Sequence, residues 1–203
     1  MKTISLVSQK GGAGKSTLAA NLAVYAASQG VKTAIVDVDP QASLSAWYGL
    51  RLKHSNDLTL LVSHAPLLSG QLQQLKKDGY QLCIVDTPPH NSTAAATAIR
   101  ESDLTVIPIR ASSFDLIAAQ ATFGLLGNKK GGAVINAVPG GTSVQDPATE
   151  FIESEGVRVL SVIGQRVAFQ HATNEGKGVI EHEPRGKAAD EVIKLWGVIE
   201  EFI

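Results

Sequence analysis

Residues 5–17 read Ser-Leu-Val-Ser-Gln-Lys-Gly-Gly-Ala-Gly-Lys-Ser-Thr. The apolar run at 4–7 predicts a buried strand, the glycine-rich run at 10–14 a loop, and Lys15-Ser16-Thr17 the start of a helix. Strand, glycine loop and helix in that order make a phosphate-binding loop. Gly11, Gly12 and Gly14 reach backbone angles closed to other residues and leave no side chain in the way. The N–H groups from Gly11 through Ala13 to Thr17 can then turn inward as an anion-binding nest, to which the helix adds its positive end. In such a loop Lys15 reaches the β- and γ-phosphates and the Ser16 hydroxyl ligates Mg²⁺. A plain glycine turn accounts for the glycines but not for Gly-Lys-Ser at a helix start.

Downstream, apolar runs alternate with helical periodicity. Leu18, Leu22, Ala23 and Ala26 recur at helical spacing, and Gln29-Gly30 closes that helix. A strand over 32–38 follows, so the first unit is βαβ with a parallel strand pair. Residues 41–56 read as helix then loop, 57–62 as a short strand, and 66–77 as an amphipathic helix carrying Leu67, Leu68, Leu72 and Leu75. Further strands are expected at 81–85, 103–109, 132–138 and 158–163. Helices are expected at 92–101, capped by Ser92 or Asn91, and at 114–126, 147–156 and 188–202. Ile193, Trp196, Val198 and Ile199 give the last of these its core face, while 164–178 reads as polar loop. The pattern predicts one α/β domain over 1–203: a mostly parallel twisted sheet flanked by helices on both faces.

Carboxylates stand where strands end. Asp37-Val-Asp39-Pro40-Gln41 closes the second strand, and two residues two apart on a strand share a face. Asp86-Thr87-Pro88-Pro89 closes the strand over 81–85. Ligands of open α/β sheets bind at this end of the strands, and a carboxylate there can hold Mg²⁺ through water. Taken alone, the Asp37–Asp39 pair reads as helix capping; beside the phosphate loop it reads as part of a site.

The loop departs from G-x-x-x-x-G-K-[ST] by Gln9 at the first glycine position, with Lys10 beside it. Lys-Gly-Gly-Ala-Gly-Lys-Ser-Thr resembles the deviant Walker A motif of the ParA/MinD ATPases, and further matches stand at 37–41, 86–89, Pro108 and Asn136. The resemblance implies a P-loop ATPase binding ATP and Mg²⁺. By it, Lys10 crosses a dimer interface to the partner's phosphates and Asp39 orients the attacking water. Ser16, Asp37 and Asp86 serve the metal, and Asn136 reads the adenine edge. It also implies an ATP-dependent homodimer, nonspecific DNA binding, and a ParB-like or other cargo-bound partner that stimulates hydrolysis. With the first strand starting at once, the chain looks like a short ParA-type partition ATPase with no N-terminal helix-turn-helix domain.

Composition narrows the rivals. Hydrophobic residues are 44% and charged residues 18%, which argues against disorder. The net charge of −1 makes any DNA site a local patch; Arg166, Lys177, Arg185 and Lys187 are its candidates. No apolar run spans a bilayer, and Asp190, Glu191, Glu200 and Glu201 against Lys194 make the last helix a poor anchor for anionic lipid. A cytoplasmic, nucleoid-associated protein is expected. Cys83, the one cysteine, cannot build a cluster site. Two alternatives stay open: a positioning ATPase whose cargo is a protein assembly, and a small-molecule ATP-dependent synthetase on the same fold.

Overall fold

Each apolar run becomes a strand because both faces of it are covered. In the computed structural model, which describes residues 1–90 and 92–203, the strands are β1 (Lys2–Leu6), β2 (Thr33–Asp37), β3 (Leu58–Val62), β4 (Leu82–Asp86), β5 (Leu104–Ile109), β6 (Gly131–Val138) and β7 (Arg158–Gly164). They form one sheet in the order β3-β2-β4-β1-β5-β6-β7, and every pairing between described strands is parallel. The sequence predicts a mostly parallel sheet; the structure makes it wholly so. Such a sheet needs helices on both faces.

The helices are α1 (Lys15–Ser28), α2 (Ser43–Arg51), α3 (Ala65–Lys77), α4 (Ser92–Glu101), α5 (Ser113–Leu126), α6 (Gln145–Ser154), α7 (Val167–Asn174), α8 (Val179–His182) and α9 (Lys187–Glu200). One apolar cluster joins Ile4, Leu6, Ile35 and Ile84 to α1, α2, α7, α8 and α9. A second, on the other face, joins Val36, Val85, Ile107 and Ile135 to α3, α4, α5 and α6. The alanines of α1 (Ala19, Ala20, Ala23, Ala26) are buried against the sheet, where small side chains allow close approach. Among the described residues no helix is long and apolar enough to cross a membrane.

Three expectations are corrected. Residues 164–178 are not all loop: Val167–Asn174 is helical, held to the core by buried Phe169 and Ala172 with Ala168 packed beside them, too short a set to show a period. Ile193 is 39% exposed, and the core face of α9 runs instead through Val192, Leu195, Trp196 and Ile199. That set has the i, i+3, i+4, i+7 spacing of a single stripe, and Ile193 lies beside it. Leu67 is likewise outside its helix's buried set of Leu68, Leu72 and Leu75. Asn91, the alternative cap of α4, lies outside the described residues.

The two isoleucines give a measurable contrast. Ile4→Ala, which empties a fully buried position in the central strand, should lower stability by about 2–5 kcal/mol in urea unfolding. Ile193→Ala should cost less than about 1 kcal/mol.

Candidate functional site

Register brings the strand-end carboxylates together. Asp37 of β2 lies opposite Asp86 of β4, and Asp86 lies opposite Leu6, the last residue of β1. Ile35 and Ile84 face α1, so Asp37 and Asp86, two residues further on, face it as well. The glycine loop leaves the end of β1 between them and β5, at the carboxyl edge of the sheet.

Within the loop, Gly14 has φ +100°, and a Cβ there would overlap the Asn136 side chain, so only glycine fits. The Asn136 amide nitrogen donates to the Ala13 carbonyl (2.8 Å), and Arg110 Nε donates to the Gly12 carbonyl (3.1 Å). Two side chains thus hold the loop from outside. A cavity of about 350 Å³ on the other side is lined by Gly11, Gly12, Lys15, Ser16, Thr17 and Asp39. Lys15 is 6% exposed, and burial lowers its pKa from the ordinary lysine value, opposed by the nearby charges of Asp86 and Asp39.

The Ser16 hydroxyl donates to Asp86 Oδ2 (2.5 Å). Asp86 Oδ1 is buried with no hydrogen-bond partner among the described residues. Burial pushes this carboxyl up to about 7, with Asp37 and Asp39 adding to the rise and the Ser16 hydrogen bond and Lys15 working against it. A hydroxyl beside a lone buried carboxylate oxygen is the donor set of a Mg²⁺ that takes its remaining ligands from phosphate and water. Among the described residues there is no cluster of three or more acidic, histidine or cysteine side chains of the kind that holds a metal by itself.

Asp37 is differently employed. Its Oδ1 accepts the Asp39 N–H (3.1 Å), and its Oδ2 accepts both the N–H and the hydroxyl of Ser45 (3.0 and 2.6 Å). It therefore caps α2 from a neighbouring strand, in place of Ala42, whose φ of 54° and methyl side chain offer no cap. Asp39 Oδ1 accepts the Gln41 N–H (2.9 Å), an Asx turn that presents the carboxylate to the cavity.

Lys10 is turned onto its own chain: its ammonium meets Asp115 Oδ1 at 2.6 Å, and its side chain remains 43% exposed. That partner and the neighbouring Ser112 hydroxyl hold the Asp115 carboxyl below the usual range, against the effect of its burial. Of the four cations proposed for DNA, Arg166 is bound twice over to Glu191, with one contact at 2.5 Å, and Lys177 pairs with Glu175 at 2.8 Å. Arg185 and Lys187 are exposed. A second cavity, about 250 Å³, opens across the loop between Asn136, Thr17, Leu18, Arg166, Phe169 and Gln170.

Sequence reasoning missed Arg110, Asp115 and Ser45. Arg110 directly follows β5 at the ligand-binding edge, a position that could have been flagged. Ser112-x-x-Asp115 reads locally as a helix start, but its pairing with Lys10, like that of Ser45 with Asp37, is made only by the tertiary structure.

Comparison with known proteins follows the same lines. The CobQ/CobB/MinD/ParA nucleotide binding domain matches residues 4–179. The chain is 26% identical to the chromosome-partitioning ATPase Soj of Thermus thermophilus, over 93% of this chain and 91% of that one. It is 27% identical to the maintenance of carboxysome distribution protein A of Halothiobacillus neapolitanus, over 95% and 94%. Its fold superposes on the septum site-determining protein MinD of Pyrococcus horikoshii, solved with Mg-ADP, with a TM-score of 0.82 at 22% identity, covering 98% of this chain and 96% of that one.

Asp86 makes the nucleotide- and metal-free protein pH-dependent. Its carboxyl titrates near 3.8 when unfolded and about 7 when folded, so the native state binds the extra proton and stability falls as pH rises through that window. Asp86→Asn keeps an acceptor for Ser16 and removes the charge. Its melting temperature should fall less than the wild type's between about pH 4 and about pH 7.

Proposed function

Given that the chain belongs to the CobQ/CobB/MinD/ParA nucleotide-binding family, we propose that it is an ATP-driven dimerisation switch that hydrolyses ATP and positions a cargo. The observation that carries this reading is Lys10, a second lysine placed ahead of Gly-Gly-Ala-Gly-Lys-Ser and free enough of its own loop to reach outward. The relatives are consistent with it: one partitions chromosomes and another distributes carboxysomes. The cargo is accordingly a DNA molecule or a protein assembly.

In this reading the phosphates lie in the cavity against residues 11–17, with Lys15 on the β- and γ-groups. Ser16 and, through water, Asp86 hold Mg²⁺, which when bound neutralises charge on the phosphate oxygens. Asp39 orients the attacking water. Asp37 acts through Asp39 and α2, since both its oxygens are occupied by them. The adenine enters the cavity beside Asn136.

Dimerisation turns on an exchange of partners. Lys10 must leave Asp115 to reach a phosphate of the other subunit. The pair is open to solvent on the Lys10 side, and the several anionic oxygens of a triphosphate in a water-poor interface outcompete a single carboxylate. Nonspecific DNA binding by the ATP dimer falls mainly to Arg185 and Lys187, because Arg166 and Lys177 already have carboxylate partners. A ParB-like or other cargo-bound partner then stimulates hydrolysis and release.

Lys10→Ala should bind ATP with near-normal affinity yet remain monomeric in light scattering with ATP and Mg²⁺; an ordinary ATP-dependent dimer would remove the switch. Asp39→Ala should slow ATP hydrolysis about 10²-fold or more while keeping the dimer. Hydrolysis at the wild-type rate would make Asp39 a turn residue only.

A further inference from the structure

Between the phosphate cavity and the turn at Gly176–Val179 lies α2, and it is fastened at both ends. At its start Ser45 binds Asp37 through its N–H and its hydroxyl. In its middle Trp47 Nε1 donates to the Lys177 carbonyl (3.2 Å). At its end Arg51 is fully buried. It donates to Asp57 (2.9 and 2.6 Å), to Glu181 (2.9 and 3.0 Å) and to the Gly176 carbonyl (3.3 Å). The same turn is tied to α1: Val179 N–H donates to Asn21 Oδ1 and Asn21 Nδ2 donates to the Thr17 carbonyl, both at 2.8 Å. Glu181, besides pairing with Arg51, accepts the Gly178 N–H (2.9 Å).

Four consecutive residues of this turn are therefore tied to side chains through their main chain: the Gly176 and Lys177 carbonyls accept, the Gly178 and Val179 N–H groups donate, and three of the four partners lie on the two helices that begin at the cavity. The approach is close. Gly176 has φ +69°, and a Cβ there would overlap the backbone of Arg51. A buried arginine between two carboxylates is a weak source of net stability, because desolvation cancels most of the attraction; it fixes one arrangement against others. There is also room for a second arrangement. A cavity of about 200 Å³ separates the start of α2 from α1, walled by Ser16, Thr17, Ser43, Leu44, Trp47 and Thr173.

We infer that α2 couples the phosphate cavity to the Gly176–Val179 turn, with Trp47 and Arg51 as the positioning residues that transmit the state of Asp37 and Asp39 to the surface bearing Lys177 and α8. This rests on the nucleotide-binding reading above. The coupling is reciprocal by linkage: what loosens the turn changes nucleotide affinity by the same factor that nucleotide changes the turn.

The test uses the full chain. Trp196→Phe leaves Trp47 as the only tryptophan, and it removes an indole N–H that has no partner. In this background the Trp47 emission and the hydrogen exchange of amides 175–182 are followed with Mg²⁺ and a non-hydrolysable ATP analogue, while calorimetry measures binding of the analogue. Expected are an emission change and altered protection at 175–182 on binding. In the otherwise wild-type chain, Trp47→Phe, which keeps an aromatic ring but loses the bond to Lys177 and part of the indole's buried contact, the Arg51 guanidinium over its ring included, should shrink the exchange response and shift analogue affinity about 3- to 10-fold. Glu181→Gln, which drops the charge and leaves one acceptor oxygen where two accept from Arg51 and Gly178, should act in the same direction. Stoichiometric binding with unchanged exchange at 175–182, or a wild-type response in both variants, overturns the coupling and leaves the nucleotide site standing. Absence of binding in calorimetry overturns both.

Discussion

Burying a carboxylate is unfavourable unless something positive answers it, and this protein buries Asp37 and Asp86 side by side. The parallel register leaves no choice: once β2 and β4 pair, the two acids end level at the sheet's carboxyl edge. Asp37 is answered by N–H and hydroxyl donors from Asp39 and Ser45. Asp86 is answered only in part, by one hydroxyl and the field of Lys15. The oxygen of Asp86 without a partner among the described residues and the lowered pKa of Lys15 both follow from burial at this edge, and the proposed phosphate and divalent cation would answer both.

The glycine loop is the second half of that condition. Its curvature is set by glycines, but its position is set by side chains from β5 and β6. Arg110 and Asn136 take its outward carbonyls, and Asp115 takes Lys10. The loop is thus held by weak, exchangeable contacts at its rim and by the strand and helix at its ends. Such a loop stays preformed, while its outermost cation keeps access to solvent.

Much of this was legible in the residues. Runs such as 32–38 and 81–85 announce strands because both faces are apolar, and the loop announces itself because few other reasons put Gly-Lys-Ser at a helix start. Strand order was not legible: nothing local says that β4 inserts between β2 and β1, and hence that Asp37 meets Asp86. The role of Asp37 was half legible. Its place at a strand end could be read, but its service as the cap of α2 depends on Ser45, eight residues away. The helix α7 was hidden by its polarity, and Ile193 misled because helical spacing alone cannot say where a buried stripe ends. Arg51 was invisible for a different reason: an arginine reads as surface until its two carboxylates, Asp57 close by in the chain and Glu181 far from it, are seen around it.

The place of β1 in the sheet has a consequence for how the chain is made. This strand carries the phosphate loop, yet both its neighbours come much later: β4 begins at Leu82 and β5 ends at Ile109. On a ribosome, at about 5–20 residues per second, the loop's strand waits roughly 5–20 s for the partners that bury it. Until then an apolar segment and its glycine loop are unpaired. The nucleotide site is therefore assembled only once β4 and β5 are made, although its central motif precedes both in the chain. Chaperone contact and aggregation, if they compete with folding, do so in that interval.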